Sequence, residues 1–341
     1  MSRLICVTGG AGYIGVELVN QLVARGERVR VLDRFFWGTC GLESLPDVEL
    51  ISRDVRELQA SDLEGVDAVC HLAGLSNDPT ADLDPHANWQ MNTVATEELA
   101  EHCIRMGVRR ITFGSSGSIY DGRETGEIFD EDAAVEPYGP YATSKFEAER
   151  RLLKAAERGV EVVLLRQGTV GGYSRRMRYD LVVNTFLKDA LLKKQLFLHD
   201  GGTMWRPLVD VRDVAAAHVV CIDAPANKAA NRVFNVVQDN YRICDLADVV
   251  AEEVEPLVGA ITITSVAATN RKRDYRASNA RLTAATGFTP SRTPRDSVKS
   301  VLESLGEIDS QELLHPRYYN LRWMQLLTEV HDSLKPYSRV F

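Results

Sequence analysis

The 341 residues contain no C-x-x-C pair, no hydrophobic stretch of membrane-spanning length and no excess of basic charge. Each absence removes a class of protein. The six cysteines (Cys6, Cys40, Cys70, Cys103, Cys221 and Cys244) are scattered singly, which suits neither a thiolate zinc site nor the disulfide framework of a small secreted domain. No metal is expected, and a reducing compartment is. Without ~20 consecutive apolar residues, no helix is expected to span a bilayer. Lys and Arg number 40 against 48 Asp and Glu, a formal net charge of −8. A nucleic-acid binder needs a basic surface to displace counterions, so nucleic acid is not an expected partner. A few placed arginines can still hold a diphosphate against that balance. The first residues run directly into Leu4-Ile5-Cys6-Val7 with no signal-peptide pattern, so the expected location is cytoplasmic.

What is present is an alternation. Apolar, strand-like runs at 3–8, 28–32, 67–72, 109–115 and 161–166 are separated by helical patterns at 13–25, 88–106 and 141–157. That order predicts an α/β, doubly wound parallel sheet of Rossmann type. After about residue 167 the pattern loosens, although 207–236 reads as a return to the main sheet. The expected organisation is a dinucleotide-binding domain from 1–166 plus 207–236, with a smaller mixed α/β substrate-binding lobe from 167–206 plus 237–341. The stretch 306–341, with Tyr318, Tyr319 and Trp323, is expected to pack on the body.

The first strand ends in Thr8-Gly9-Gly10-Ala11-Gly12-Tyr13-Ile14-Gly15, where a helix opens. Glycines let the backbone turn tightly and approach a pyrophosphate resting on the helix N-terminus. Asp33 closes the second strand, where a carboxylate accepts hydrogen bonds from an adenosine ribose and repels a 2′-phosphate. NAD is therefore expected over NADP, with Arg34 beside it slightly opposing that preference. Asp54-Val55 and His71-Leu72-Ala73-Gly74 follow later strands, at the carboxyl edge where cofactors lie. His71 alone reads as a satisfied core histidine.

Tyr141-Ala142-Thr143-Ser144-Lys145 opens a helix after Pro140. The i, i+4 spacing puts phenol and ammonium on one face. A nearby positive charge lowers a phenol pKa that starts near about 10, which suits Tyr141 to general-base work on a hydroxyl. The preceding strand ends Phe113-Gly114-Ser115-Ser116-Gly117-Ser118, whose serines can bond that same hydroxyl.

In combination these residues resemble the extended short-chain dehydrogenase/reductase family, the nucleotide-sugar epimerases and dehydratases, over roughly residues 1–305. The resemblance implies a glycine motif at Thr8, Gly9, Gly12 and Gly15, a ribose ligand at Asp33, an adenine contact at Asp54 and an active-site brace at Asn92. It implies a catalytic triad of Ser116, Tyr141 and Lys145, with Lys145 also holding the nicotinamide ribose. For a nucleotide-diphosphate sugar it implies contacts from Asn184, Arg206 and Arg271, with Arg273 an open alternative to the last. Ser76, Asn77, Ser118 and Thr169 are further expected substrate neighbours. A homodimer is implied through helices 88–106 (Trp89, Val94, Leu99, Ile104) and 141–157 (Phe146, Leu152, Leu153). Resembling dehydratases carry Asp-Glu directly after the catalytic Ser/Thr, and decarboxylases a Glu in the second place. Here Gly117-Ser118 stand there, and Thr169 replaces a common Asn. The expected reaction is epimerisation through transient oxidation at sugar C4. The rivals are an NDP-4-keto-sugar reductase, a 4,6-dehydratase with atypical acid/base residues such as Asp78, and a non-catalytic NAD sensor.

Overall fold

In the computed structural model, which describes residues 2–121, 126–267, 274–306 and 310–334, β1 (Leu4–Thr8) is buried at every position. Burial on both faces is the mark of a strand inside a covered parallel sheet. Joined to it are β2 (Arg28–Asp33), β3 (Val48–Ser52), β4 (Ala68–His71), β5 (Arg110–Ser116), β6 (Glu161–Gln167) and β7 (Arg232–Val236). The sheet order is β7-β6-β5-β4-β1-β2-β3, with every pairing parallel. Alternate residues of β1 serve opposite layers, as the two-residue period requires. Leu4 and Cys6 pack with Leu99, Cys103 and Leu152 from helices α2 (Ala95–Met106) and α3 (Gly139–Ala156). Ile5 and Val7 pack with Leu18, Leu22 and Val219. These come from α1 (Tyr13–Ala24) and α4 (Val211–Asp223).

The chain moves outward from β1 through β2 to β3, then returns to place β4 on β1's other side. The connections leaving β1 and β4 therefore diverge and leave a crevice at their carboxyl ends. Thr8 and His71 are register partners at that edge.

Two expectations about local structure change. The single helix expected over 88–106 is interrupted: Pro85–Trp89 leads into a π-turn at Gln90–Val94 before α2 begins. Such wide turns concentrate at functional positions, and Asn92 sits in this one. Residues 207–210 do not join the main sheet. Trp205–Asp210 pairs with Thr169–Gly171 and Asp239–Arg242 in a separate three-stranded sheet. The main sheet closes just before it, where the Gly168 N–H donates to Val236 O. The helices after Gly168 share one core with the face of the main sheet, in which Val183 and Leu187 join Leu246, Val250 and Val298 with Val163, Leu165 and Phe234.

Leu99 and Leu152, expected at a helix-pair interface, are fully buried in this chain's own core, and Ile104 and Leu153 pack against it. Glu97 and Glu101 are ion-paired with Arg151 and Arg158. Among the described residues no helix is long and apolar enough to cross a membrane.

Two histidines are fully buried, His71 at the end of β4 and His218 on α4. His71 Nδ1 lies 2.6 Å from Thr8 Oγ1 and its Nε2 2.9 Å from Thr96 Oγ1. His218 Nδ1 lies 2.8 Å from Thr112 Oγ1. Burial pushes both pKa values down to about 3, with Lys145 adding to the effect on His71. Unfolded histidines take their proton near ~6.5, so the fold loses stability as pH falls from there toward 3. His71→Asn is expected to remove about 1.4 kcal/mol per pH unit from that slope, read by denaturant unfolding between pH 4 and 6.5.

Candidate active site

The crevice holds a cleft of about 210 Å³, open to solvent at its mouth. Its floor is backbone. Gly9 has φ +72, and a Cβ there would lie 2.7 Å from Ala73 N; a Cβ on Gly15 would lie 2.2 Å from Gly9 O. Gly12 caps α1 with no side chain to satisfy the first-turn N–H groups, which leaves them for an anion. Asp33 accepts the Ala11 N–H at 3.0 Å and the Phe35 N–H at 2.8 Å. Burial raises its pKa against those backbone bonds, and its remaining lone pairs suit ribose hydroxyls. Tyr13, Ile14, Val55 and the Leu72-Ala73-Gly74 turn line the same space. These features fit a dinucleotide: a cradle with no room for Cβ, donors for a pyrophosphate, and a carboxylate for a ribose.

Asp54, expected at the adenine, is ion-paired within the protein. Its carboxylate is gripped by Arg56 at 2.6 Å and Arg34 at 3.0 Å. Burial pushes its pKa up, but the two guanidiniums outweigh that and hold it below the usual range. Arg34 in turn lies 4.1 Å from the Phe36 ring centre. Asp54 stands beside the cleft rather than in its lining.

Tyr141 and Lys145 occupy the first turns of α3, which Gly139-Pro140 starts with proline in the first turn, where its missing N–H costs nothing. Tyr141 is hydrogen-bonded to Ser116. Lys145 Nζ donates to Gly114 O at 2.9 Å and lies 4.7 Å from the Phe113 ring centre. Burial pulls its pKa down to about 8, with Glu149 opposing. The phenol pKa is raised, not lowered: burial dominates, while Ser116 and Arg178 pull the other way. The expectation that Lys145 depresses it is corrected here, because the ammonium is held on Gly114 O and the cation acting on the phenol is Arg178. Beneath the lysine, Ser115 donates to Glu149 at 2.5 Å and Glu149 pairs with buried Arg166 at 2.8 Å.

Asn92 is the brace between these parts. Its Oδ1 accepts the Leu75 N–H at 2.9 Å, and its Nδ2 donates to Leu75 O, Asn88 Oδ1 and Ser144 Oγ at 2.8–3.1 Å. The turn after β4 is thereby tied to the catalytic helix.

The expected substrate contacts divide. Ser76 lines the cleft. Asn77 caps the helix Asp78–Leu83, accepting the Thr80 N–H. Asn184, expected at a diphosphate, is fully buried, its Oδ1 accepting the Gly172 N–H and its Nδ2 donating to Tyr13 Oη and Arg178 O. It anchors the 172–178 loop to α1. Thr169 pairs across from Leu208 in the small sheet. The Ser118 hydroxyl is buried without a hydrogen-bond partner. Arg206 donates to Trp205 O at 2.7 Å and lies 6.0 Å from the Tyr275 ring centre. Ser118, Thr169 and Arg206 stand outside the cleft lining; Arg271 and Arg273 lie outside the described residues.

Sequence reasoning missed the wall formed by Arg176, Arg178, Asn320 and Met324. Arg178 donates to Asp180 at 2.8 and 3.1 Å and to Ser76 Oγ at 3.2 Å. The run Ser174-Arg175-Arg176-Met177-Arg178 was the available signal, since clustered arginines suit phosphate recognition. Nothing local in sequence shows where Asn320 docks.

The cleft thus joins a glycine-floored dinucleotide cradle to Tyr141, hydrogen-bonded to Ser116, and the nearby Lys145. Residues 5–236 match the NAD dependent epimerase/dehydratase family, and the chain belongs to it; its cofactor is NAD. The UDP-glucose 4-epimerase of Azospirillum brasilense is 31% identical over 241 residues, which is 65% of this chain and 68% of that protein. The structure of MoeE5 in complex with UDP-glucuronic acid and NAD is similar with a TM-score of 0.76 and 27% identity, over 88% of this chain and 99% of that one. TunA, described as an NAD-dependent NDP-hexosamine 5,6-dehydratase, is similar with a TM-score of 0.78 and 25% identity, over 91% of this chain and 100% of that one.

With Asp33 at the ribose end, NAD is expected to bind more tightly than NADP. Asp33→Ala should weaken NAD about 10- to 100-fold, the worth of hydrogen bonds to a charged group, and narrow the gap. Calorimetric titration with both cofactors checks this; equal affinities in the unaltered protein would contradict the role given to Asp33.

Proposed function

We propose that this enzyme epimerises a nucleotide-diphosphate sugar by transient oxidation at C4. One observation carries the reading: among the described residues lining the cleft, Asp33 is the sole carboxylate, and it stands at the ribose end. Removing water from the sugar needs an acid and a base over the ring in addition to the redox step. The positions after Ser116 offer neither. A Cβ on Gly117 would lie 3.1 Å from Gln167 O and 3.3 Å from Tyr275 Oη, so its neighbours leave little room for a longer side chain. Asp78, the one carboxylate considered nearby, is not among the residues lining the cleft.

NAD, when bound, supplies the hydride acceptor and returns the hydride. Ser116 and Tyr141 grip the C4 hydroxyl, and Tyr141 removes its proton as the C4 hydrogen leaves. Arg178 favours the phenolate electrostatically. Asn92 keeps the turn beside the sugar in register with α3. After the 4-keto sugar turns over in the cleft, Tyr141 returns the proton and the hydride arrives on the other face. Atoms balance, and the product is isobaric with the substrate. In this reading residues 1–166 with 207–236 hold the cofactor and the remainder grips the nucleotide sugar. The enzyme works in the cytoplasm.

Tyr141→Phe is expected to lower turnover about 10²- to 10⁴-fold while leaving NAD affinity nearly intact. Lys145→Ala should damage both. The reaction itself is tested by mass spectrometry of products from a panel of nucleotide sugars. An isobaric sugar supports epimerisation; a gain of two hydrogens makes the enzyme a reductase, and loss of one water makes it a dehydratase.

The same reading includes a homodimer through the outer faces of the 88–106 segment and of α3. Since Leu99 and Leu152 are spent on the core, the pairing would rest on Trp89, Val94, Phe146 and the charged rim. Light scattering at micromolar concentration should give twice the chain mass; monomer alone would reject the pairing.

A further inference from the structure

We propose that Arg176 is a counter-ion for the pyrophosphate of the bound dinucleotide, and that Asn320, from the segment after the family match, holds it in place. This rests on the reading that NAD occupies the cleft.

Arg176 is 4% exposed. One guanidinium nitrogen donates to Asn320 Oδ1 at 2.5 Å and another to Met177 O at 3.3 Å, while Nε has no hydrogen-bond partner among the described residues. Among the described residues no carboxylate forms an ion pair with it; the nearby Asp180 is taken by Arg178. A buried cation without an anion is costly, and burial together with the adjacent Arg178 draws its pKa down to about 9. An anionic ligand in the cleft relieves that cost.

Its position identifies the ligand. The guanidinium lies 4.2 Å from the Trp37 ring centre, and both residues line the cleft shared by Gly12 and Asp33. The uncapped N-terminus of α1 therefore faces the same space as a planar, fixed-charge donor suited to paired phosphate oxygens. The helix end, worth about half a charge, and the guanidinium together offset most of the charge of a dinucleotide's diphosphate.

Asn320 links that donor to Ser76 and Asp180. Its Nδ2 donates to Ser76 Oγ at 2.8 Å and its backbone N–H to Asp180 at 3.0 Å. Just before and after it, Tyr318 O accepts the Tyr179 N–H and Trp323 Nε1 donates to Phe36 O at 2.8 Å. The family match ends at residue 236, so this chain adds a support that the matched region does not contain.

A diphosphate could belong to the dinucleotide or to the nucleotide sugar, and calorimetry separates them. NAD, ADP, adenosine and UDP are titrated into the unaltered protein, Arg176→Leu, Arg176→Lys and Asn320→Ala, with melting temperatures recorded without ligand. Arg176→Leu should weaken NAD and ADP about 10- to 100-fold and leave adenosine and UDP within twofold. Arg176→Lys should recover part of the loss, and Asn320→Ala should show a smaller one. The ligand-free Arg176→Leu protein should melt no lower than the parent, since it has shed a buried unpaired cation. Unchanged NAD affinity, or a lower melting temperature alone, overturns the proposal and makes Arg176 structural. A loss confined to UDP reassigns the guanidinium to the nucleotide sugar and overturns the cofactor role. Failure of the unaltered protein to bind NAD overturns the reading of the cleft and this inference with it.

Discussion

The turns leaving β1 and β4 meet through backbone alone, and the rest of the site depends on that contact. No side chain fits between Gly9 and Ala73, so α1 starts deep in the crevice with its free N–H groups at the floor. The Thr8–His71–Thr96 chain of hydrogen bonds then ties both strands to α2. Asn92, one turn earlier, carries the tie on to Leu75 and α3. A neutral, doubly bonded His71 is what such a link requires, because a charge there would face Lys145. The cofactor floor and the catalytic helix are thus set by one continuous set of contacts.

Charge at the reacting end follows from burial. Lys145 is drawn toward neutrality by its surroundings, and Glu149, two turns along the same face as Tyr141, opposes that. Glu149 cannot act as a free carboxylate, because Arg166 and Ser115 hold it. It supports the lysine without competing for it. The phenol feels Arg178 from across the cleft, so its protonation depends on a residue carried by the loop after β6 and not only on its own helix.

Legibility in the sequence followed distance along the chain. The glycine turn, Asp33 and the Tyr141–Lys145 pair declare themselves because each chemical unit lies within one strand–turn–helix or one helical face. Asp54 and Asn184 occupy family positions, yet their side chains are consumed by Arg34, Arg56, Tyr13 and backbone groups that no local pattern names. The strand at 205–210 was apolar enough for the main sheet, but its hydrogen bonds go to Thr169–Gly171 and Asp239–Arg242. Arg176 and Asn320 are 144 residues apart, and only folding makes one the partner of the other.

The long-range wall also explains how a chain with net charge −8 serves anionic ligands. Most of its arginines are spoken for, among them Arg110 by Glu161, Arg166 by Glu149 and Arg212 by Asp210. Those pairs contribute little attraction at a distance, since each cation's field is cancelled locally. A guanidinium denied such a partner keeps its field, and inside a low-dielectric cleft that field is screened far less than at the surface. Affinity for a diphosphate therefore depends on where carboxylates are withheld, not on how many cations the chain carries. The acidic exterior and an electropositive cleft are compatible for that reason.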